Sequence, residues 1–435
     1  MRWRRRGRSF PSRALAAAMF VALAISIVGW GSPLSAAPSR WVGSWAASPQ
    51  PPLPGPPIRY EGQTLRLIVH TSIGGRQARV RISNRFGDAP LSLGAVHVAT
   101  RTSGAEVDPS TDRALTFNGR TAVTIAPHAA TTSDSVSLDV APRSDLAISI
   151  FFPAPALVRT THILARQTSF VSSPGNHAGS AAFPVAQRIH SWPFLTRVDV
   201  QGDAAAAIVL FGDSLVDGDG STTDRNARWT DDLAARLQSA GLGIGVLNAG
   251  LIGNRLLRGS PAAASPEVGE AFGPAALARV GSDALDLPGV RWMVVRIGTN
   301  DLAAPGALAP ASESVDAQDI IAGLTALVAR ARRRHVHVIG TTIPPFEGAA
   351  IVPGMYSPQK EQVRQSVNAW LRTHPLFERV IDLDEILRDP DHPSRLKPAL
   401  DSGDHIHPND AGYALMAAAF QPSWLRQGPM QRSGG

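Results

Sequence analysis

One serine in the sequence lies where its hydroxyl group could act as a nucleophile. Ser214 follows Gly212 and Asp213 directly after the apolar segment 205–212, which has the length and composition of a buried strand. A serine hydroxyl becomes a strong nucleophile only when a neighbouring base accepts its proton. Gly-Asp-Ser is also a common turn sequence, so a catalytic role for Ser214 requires such a base elsewhere in the chain.

A candidate base lies near the carboxyl terminus, in the loop 401–408. His407 follows Asp404 by three residues. At this spacing the carboxylate can accept a hydrogen bond from Nδ1 of the imidazole, which leaves Nε2 free to accept the serine proton. Asp401 and His405 are the alternatives in the same loop, although an extended loop would point His405 away from Asp404.

Two further segments could stabilise negative charge on a reacting oxygen. Asn300 follows the apolar segment 290–298, and its side-chain amide could donate a hydrogen bond. The segment 248–254 contains glycines that could present an unhindered backbone N–H. Together with the Ser214 N–H they would form an oxyanion hole of three donors, in which each donor typically contributes about 10²–10³ in rate. Ordinary turn formation is the alternative for each segment alone.

The elements that would position these residues alternate between apolar strands and amphipathic helices. Such alternation predicts a parallel sheet covered by helices on both faces. We expect residues 201–426 to form a flavodoxin-like three-layer α/β/α domain with a five-stranded parallel sheet, which binds its ligand at the carboxyl ends of the strands. The predicted strands are 205–212, 244–250, 290–298, 335–343 and 379–386, and the predicted helices are 229–240, 316–334, 358–373 and 410–420.

Residues 38–200 have a different pattern, in which short segments of strand length are separated by Gly, Pro, Asn and Asp. This pattern predicts an accessory domain resembling a β-sandwich or jelly roll. Its predicted strands are 64–72, 77–83, 91–100, 121–126, 136–140 and 145–152.

The four polar segments, taken in chain order, resemble the blocks of the SGNH (GDSL) hydrolase family. The resemblance covers about residues 205–420 and implies a serine ester hydrolase, in which Ser214 is the nucleophile, His407 the general base and Asp404 its orienting partner. The matching blocks are GDSL at 212–215, NAGLIGN at 248–254, IGTND at 297–301 and DHIHP at 404–408.

The resemblance also implies which groups form the oxyanion hole, namely the Ser214 N–H, the Gly253 N–H and the Asn300 side chain. Gly253 is preferred to Gly250 because the glycine of the family lies five residues after the asparagine that corresponds to Asn248. The amino-terminal part is similar, more weakly, to a β-domain found in some secreted bacterial members, at WVGSWAASPQ (41–50) and HTSIGG (70–75).

The amino terminus has the organisation of a secretory signal peptide, residues 1–37, with cleavage after Ala36 or Ala37. Arginines in residues 1–13 precede the apolar segment 14–30, and small residues follow. An uncleaved anchor is the alternative, because such a segment is near the lower length limit for a membrane span. We expect a secreted or periplasmic protein without a membrane span after cleavage, and a disordered tail at 427–435.

Composition excludes several classes of function. The chain of 435 residues has no cysteine, which excludes disulfides and thiol nucleophiles. Its net charge of +7 arises largely from the arginines of the leader, so the rest of the chain offers no electrostatic case for binding nucleic acid. We expect no metal and no organic cofactor, because His335 and His337 lack further ligands at suitable spacing.

The expected function is therefore a secreted, serine-dependent carboxylic ester hydrolase that acts through an acyl-enzyme. We expect short-acyl esters, including carbohydrate O-acetyl groups, or small aryl and alkyl esters, on a small-molecule or polysaccharide substrate. A lipase or phospholipase acting on long acyl chains is one alternative. An acyltransferase and a non-catalytic polysaccharide-binding protein are the others.

Overall fold

The computed structural model describes residues 40–204, 206–349 and 351–426. The predicted signal peptide and the predicted disordered tail lie outside these residues. The described residues form one compact unit. None of the helices in this part of the chain is long and apolar enough to cross a membrane.

Residues 40–204, called here the β region, form two main antiparallel sheets. One has the strand order β1-β16-β4, and both β10 and β11 pair with the other edge of β4. The second has the order β15-β14-β3-β12-β6-β7, and β8 also pairs with β6. The strands are β1 (Trp41–Ala46), β2 (Arg59–Tyr60), β3 (Gln63–His70), β4 (Gly75–Ser83), β5 (Leu91–Leu93), β6 (Ala95–Ser103), β7 (Glu106–Val107), β8 (Arg113–Ala114), β9 (Val123–Ile125), β10 (Ala130–Thr132), β11 (Val136–Val140), β12 (Asp145–Phe152), β13 (Ala156–Leu157), β14 (Ser169–Ser172), β15 (Val185–Ile189) and β16 (Leu195–Gln201).

Alternation of apolar residues explains how the two sheets bury a common core. On β4, Ala78, Val80 and Ile82 are fully buried, whereas Arg79 and Arg81 between them are partly exposed. Leu65 and Leu67 of β3, in the other sheet, belong to the same hydrophobic cluster. The predicted strands at 136–140 and 145–152 coincide with β11 and β12.

Residues 206–426, called here the α/β region, contain the predicted five-stranded parallel sheet, which is confirmed with the strand order β18-β17-β19-β20-β21. Its strands are β17 (Ala206–Gly212), β18 (Ile244–Gly250), β19 (Val290–Arg296), β20 (His337–Thr341) and β21 (Arg379–Ile381). The helices are α1 (Ser214–Asp217), α2 (Trp229–Ser239), α3 (Ala276–Val280), α4 (Thr299–Ala303), α5 (Ala317–Arg333), α6 (Pro358–Thr373), α7 (Leu383–Leu387) and α8 (Asp410–Ala418).

The last predicted strand was too long. The segment 379–386 forms a strand only as far as Ile381, and α7 begins at Leu383. Asp382 ends the strand because its side chain accepts a hydrogen bond from the Glu385 amide, 3.1 Å away, and so caps the helix.

Helices cover both faces of the parallel sheet. This is required because successive side chains of β17 point to opposite faces and are apolar on both. Ile208 and Leu210 belong to one apolar core, which they share with Trp229 of α2. Phe211 points to the other face and belongs to a second core, which includes Leu324 of α5. This second core also contains the apolar residues of the β region, so the two regions share buried surface.

The β region packs closely against β18. The Val246 amide donates a hydrogen bond of 2.9 Å to the Ser72 hydroxyl, and the Gly43 amide donates one of 2.9 Å to the Pro288 carbonyl. A Cβ atom at Gly245 would lie 2.3 Å from the carbonyl oxygen of Gly43. Glycine at position 245 therefore permits the backbones of β1 and β18 to approach each other.

Replacing Gly245 by alanine should destabilise the protein by about 1–3 kcal/mol, the usual cost of overpacking, because the backbone of β1 must move. Gly243→Ala is the matched control, since the nearest atom to its Cβ would be 3.8 Å away. Urea unfolding of both variants measures the difference. Equal unfolding midpoints would show that β1 does not contact β18 in this way.

Candidate active site

Ser214 lies on a tight turn between β17 and α1. A Cβ at Gly212 would be 1.8 Å from the Arg296 carbonyl oxygen, so only glycine allows β17 to end beside β19. Asp213 caps α1, and its side chain accepts a hydrogen bond of 3.2 Å from the Leu215 amide. Ser214 is the first residue of the helix, where a backbone N–H has no acceptor within the helix.

The structure brings together Ser214, His407 and Asp404. The Ser214 Oγ atom lies 2.8 Å from Nε2 of His407, and Nδ1 of the same ring lies 2.6 Å from Oδ2 of Asp404. With the ring proton on Nδ1, the imidazole donates to the carboxylate and Nε2 can accept the serine proton. Ser214 and His407 are both buried.

The carboxylate of Asp404 is held in its ionised form. Its second oxygen, Oδ1, accepts hydrogen bonds from the amides of Ile406 (3.0 Å) and His407 (2.8 Å). Although partial burial opposes the effect, the His407 ring and these amides lower the pKa of Asp404 well below its usual range. A permanently ionised Asp404 can orient the imidazole and stabilise its protonated form.

His405 and Asp401, the alternative pair in this loop, contact each other. Nδ1 of His405 lies 2.6 Å from Oδ2 of Asp401, and the His405 side chain is 52% exposed. His405 has a φ of +65°, which turns the chain between the two histidines. The loop therefore contains two separate Asp–His pairs, and the buried one contacts Ser214.

The predicted oxyanion donors follow the two strands that flank β17, with Gly253 in the loop after β18 and Asn300 in the first turn of α4, after β19. Asn300 Nδ2 donates a hydrogen bond of 3.1 Å to the Asn254 carbonyl, which orients the amide and leaves its second hydrogen for another acceptor. Gly253 has a φ of +68°, and a Cβ there would lie 2.4 Å from the Phe272 ring, so both conformation and space require glycine. The Gly250 amide already donates to Asn248 Oδ1 at 2.9 Å.

Residues 210–415 match the family model described as GDSL-like Lipase/Acylhydrolase. The matched range contains every residue of the arrangement above, from Ser214 to His407. Residues 210–415 are a GDSL-like lipase/acylhydrolase domain. The protein is therefore an ester hydrolase. No protein among the curated proteins matches the chain.

Several solved structures are similar to about half of the chain. An aryl esterase from M. smegmatis has 21% identity, covers 51% of this chain and 99% of its own, and gives a TM-score of 0.38. A carbohydrate acetylesterase from Sinorhizobium meliloti has 17% identity, coverage of 51% and 98%, and a TM-score of 0.37. A lipase/acylhydrolase from Enterococcus faecalis has 18% identity, coverage of 49% and 92%, and a TM-score of 0.35.

A buried arginine that sequence analysis did not identify connects the strand ends of the GDSL-like domain. The guanidinium group of Arg279 donates hydrogen bonds to the carbonyls of Gly212 (2.6 Å) and Ala249 (2.9 Å), and to Asn254 Oδ1 (2.9 Å). Burial lowers the pKa of Arg279 to about 10, so the group remains charged at neutral pH. Arg279 lies on α3, and no local sequence pattern marks it as part of the site.

A second buried arginine links the serine turn to the Asn300 turn. Arg296 donates hydrogen bonds of 2.6 Å to Asp213 Oδ2 and to the Thr299 hydroxyl. Asp301, next to Asn300, accepts the amides of Leu256 (2.7 Å) and Leu257 (3.0 Å), although burial raises the pKa of this carboxyl group to about 6. The blocks of the GDSL-like domain are thus joined by buried charged groups.

The described residues contain no group of three or more histidine or acidic side chains arranged to hold a metal ion. His337, which was considered as a metal ligand, lies with Nδ1 2.7 Å from Glu378 Oε1.

Replacing Asp404 by asparagine should lower kcat by about 10³–10⁴, the scale on which a Ser-His-Asp site loses activity with its carboxylate. An asparagine NH₂ group facing Nδ1 would favour the wrong imidazole tautomer. Asp401→Asn is the matched control and should retain most activity, because Asp401 contacts the exposed His405. Steady-state kinetics on an activated ester measures both variants, and a larger loss in Asp401→Asn would assign the orienting role to Asp401.

Proposed function

We propose that the protein is a secreted, serine-dependent carboxylic ester hydrolase that acts through an acyl-enzyme. One observation supports this proposal above all others, namely the continuous hydrogen-bonded chain from Ser214 Oγ through His407 to Asp404. Nucleophile, base and orienting group are recognised by this geometry rather than by their position in the sequence. The predicted signal peptide supports export.

In the first half of the reaction, Ser214 Oγ attacks the carbonyl carbon of the ester while Nε2 of His407 accepts its proton. The carbonyl double bond opens, and the negative charge moves to the carbonyl oxygen. When the tetrahedral intermediate collapses, the bond to the alcohol breaks and His407 donates its proton to the leaving oxygen. The alcohol departs, and the acyl group remains on Ser214.

Three donors would stabilise the oxyanion, namely the Ser214 N–H, the Gly253 N–H and the free hydrogen of Asn300 Nδ2. The engagement of Gly250 with Asn248 supports Gly253 as the donor from this loop. The bond from Asn300 to the Asn254 carbonyl holds the side chain in place before substrate binds, and preorganised donors of this kind usually contribute most to catalysis.

In the second half, water replaces the alcohol. His407 accepts a proton from the water molecule as its oxygen attacks the acyl carbon, and then returns this proton to Ser214 Oγ as the ester bond to serine breaks. The carboxylic acid leaves and the enzyme is regenerated. Every proton in the cycle is carried by His407, while Asp404 stays ionised throughout because its pKa is held low.

The size of the acyl group is proposed from the position of Phe272. Its ring packs directly against Gly253, beside the proposed oxyanion donor. We infer that a bulky ring at this position limits the room for a long acyl chain on that side of the site. Together with the predicted export, this supports small acyl groups on carbohydrates or on small aryl and alkyl alcohols.

Ser214→Ala should abolish turnover of p-nitrophenyl acetate and leave the fold intact, because the reaction loses its nucleophile while the buried supports remain. Ser366→Ala, a matched change on the exposed face of α6, should keep the wild-type rate. Initial rates and circular dichroism of both variants test this. A Ser214→Ala enzyme that retains the wild-type rate would exclude the proposed nucleophile.

The chain-length preference should favour p-nitrophenyl acetate and butyrate over palmitate. Phe272→Ala should increase kcat/KM for butyrate more than for acetate, because the ring no longer restricts the space beside Gly253. The ratio of the two kcat/KM values measures this effect. Serine-dependent turnover that is greatest on palmitate would show a long-chain lipase instead.

A further inference from the structure

His162 of the β region is buried directly beneath the serine turn. Its Nε2 atom lies 2.8 Å from Oδ1 of Asp217, the last residue of α1, whose first residue is Ser214. On the other side of the ring, Nδ1 lies 2.9 Å from the Ser48 carbonyl oxygen. The ring also stacks on Trp192, with centroids 5.4 Å apart. His162 is thus fixed by the β region and directed at the GDSL-like domain.

Asp217 extends this contact to the loop of the proposed oxyanion hole. Its second oxygen, Oδ2, accepts a hydrogen bond of 2.9 Å from the Ile252 amide. Ile252 immediately precedes Gly253. By holding the Ile252 amide, Asp217 therefore restrains the residue bonded to the Gly253 nitrogen. The side chains of His162 and Asp217 are both almost completely buried, at 3% and 1% exposure.

The charges of this pair depend on each other. An unpaired carboxylate buried to this extent would be strongly destabilised. Burial alone would lower the pKa of His162, but the Asp217 carboxylate and the Ser48 carbonyl outweigh this effect and raise it. The imidazole contacts one oxygen of Asp217 while the other oxygen accepts the Ile252 amide, so His162 holds the carboxylate in the orientation that this amide requires.

We propose that His162 is a positioning residue for catalysis, and that the β region completes the oxyanion hole by acting through Asp217 on the loop 251–253. This inference rests on the proposed function, because it assumes that the Gly253 N–H stabilises the oxyanion. It assigns the β region a direct part in transition-state stabilisation.

His162→Phe tests the proposal, since phenylalanine can keep the stacking on Trp192 but cannot contact Asp217 as a donor. The variant should lower kcat by about 10-fold to 10²-fold, less than the 10²–10³ expected when an oxyanion donor is removed outright. KM for p-nitrophenyl acetate should change by no more than about twofold, because an interaction realised only in the transition state is lost. His162→Gln, which restores a donor near the Nε2 position, should recover part of kcat.

A matched control comes from the other face of the β region. His97 also pairs with an aspartate, with Nδ1 2.8 Å from Oδ2 of Asp112, and among the described residues it has no hydrogen bond or ion pair with the GDSL-like domain. His97→Phe should leave kcat unchanged. Asp217→Asn, which preserves volume, should resemble His162→Phe and serves as the second variant if His162→Phe does not fold. Thermal unfolding of all variants sets an assay temperature at which each is folded.

The affinity for a boronic acid that forms a tetrahedral adduct with Ser214 provides an independent measurement. It should fall in parallel with kcat in His162→Phe and Asp217→Asn, and stay unchanged in His97→Phe. The inference is overturned if His162→Phe keeps the wild-type kcat and boronate affinity, or if only KM rises. Failure of the proposed function would give a different result from failure of this inference. In that case Ser214→Ala, made as a single substitution, would retain turnover.

Discussion

The active site depends on the pairing of carbonyl groups where β17 and β18 end. At the carboxyl ends of parallel strands the sheet hydrogen bonds stop, yet the chain here remains buried. Arg279 donates to the Ala249 carbonyl and, together with the Leu251 amide 3.1 Å away, to the Gly212 carbonyl. A buried carbonyl left without a partner would cost about 1–3 kcal/mol, so this guanidinium group allows both loops to be buried and fixed. At the end of β18 and in the loop after it, the amides of Gly250, Leu251 and Ile252 already donate within the protein, which leaves the Gly253 N–H as the proposed donor to a substrate.

The buried charged groups that support the site differ chemically from the proposed nucleophile and the proposed side-chain donor of the oxyanion hole. Arg279, Arg296 and Asp213 are buried charges, and removing one partner of such a pair typically costs about 3–5 kcal/mol. Ser214 and Asn300, by contrast, are neutral side chains with few contacts. The fold therefore tolerates changes in the groups that carry the chemistry better than changes in the groups beneath them. A site built in this way has a rigid geometry that does not rely on its own nucleophile.

The parts of this arrangement that sequence predicts are those with local signals. Ser214 lies two residues after the end of a strand, and Asp404 and His407 lie three residues apart, so these positions together with the family resemblance grouped the three residues. The choice of Gly253 over Gly250 came from the spacing of the family's glycine to the asparagine that corresponds to Asn248, and it stays a prediction. His162 and Arg279 could not be predicted, because their partners are distant in sequence and no local pattern distinguishes them from ordinary core residues. β14 and β15 were missed for another reason, since one is entirely buried and the other mostly exposed, and neither alternates.

The contacts between the β region and the α/β region lie close to the candidate active site. Ser48, Ser72 and His162 all reach groups of the α/β region, and each does so at a point that is buried. Ser48 takes part in two contacts. Its hydroxyl accepts a hydrogen bond from Arg279, and its carbonyl oxygen contacts Nδ1 of His162. Two sets of hydrogen bonds hold the loops of the GDSL-like domain, one through Arg279 and one through Asp217. Both sets involve Ser48 of the β region. A surface that only tethered two regions would have no need to place its buried polar groups beneath the proposed nucleophile and the loop of the proposed oxyanion hole. We therefore infer that the β region supports the candidate active site from beneath.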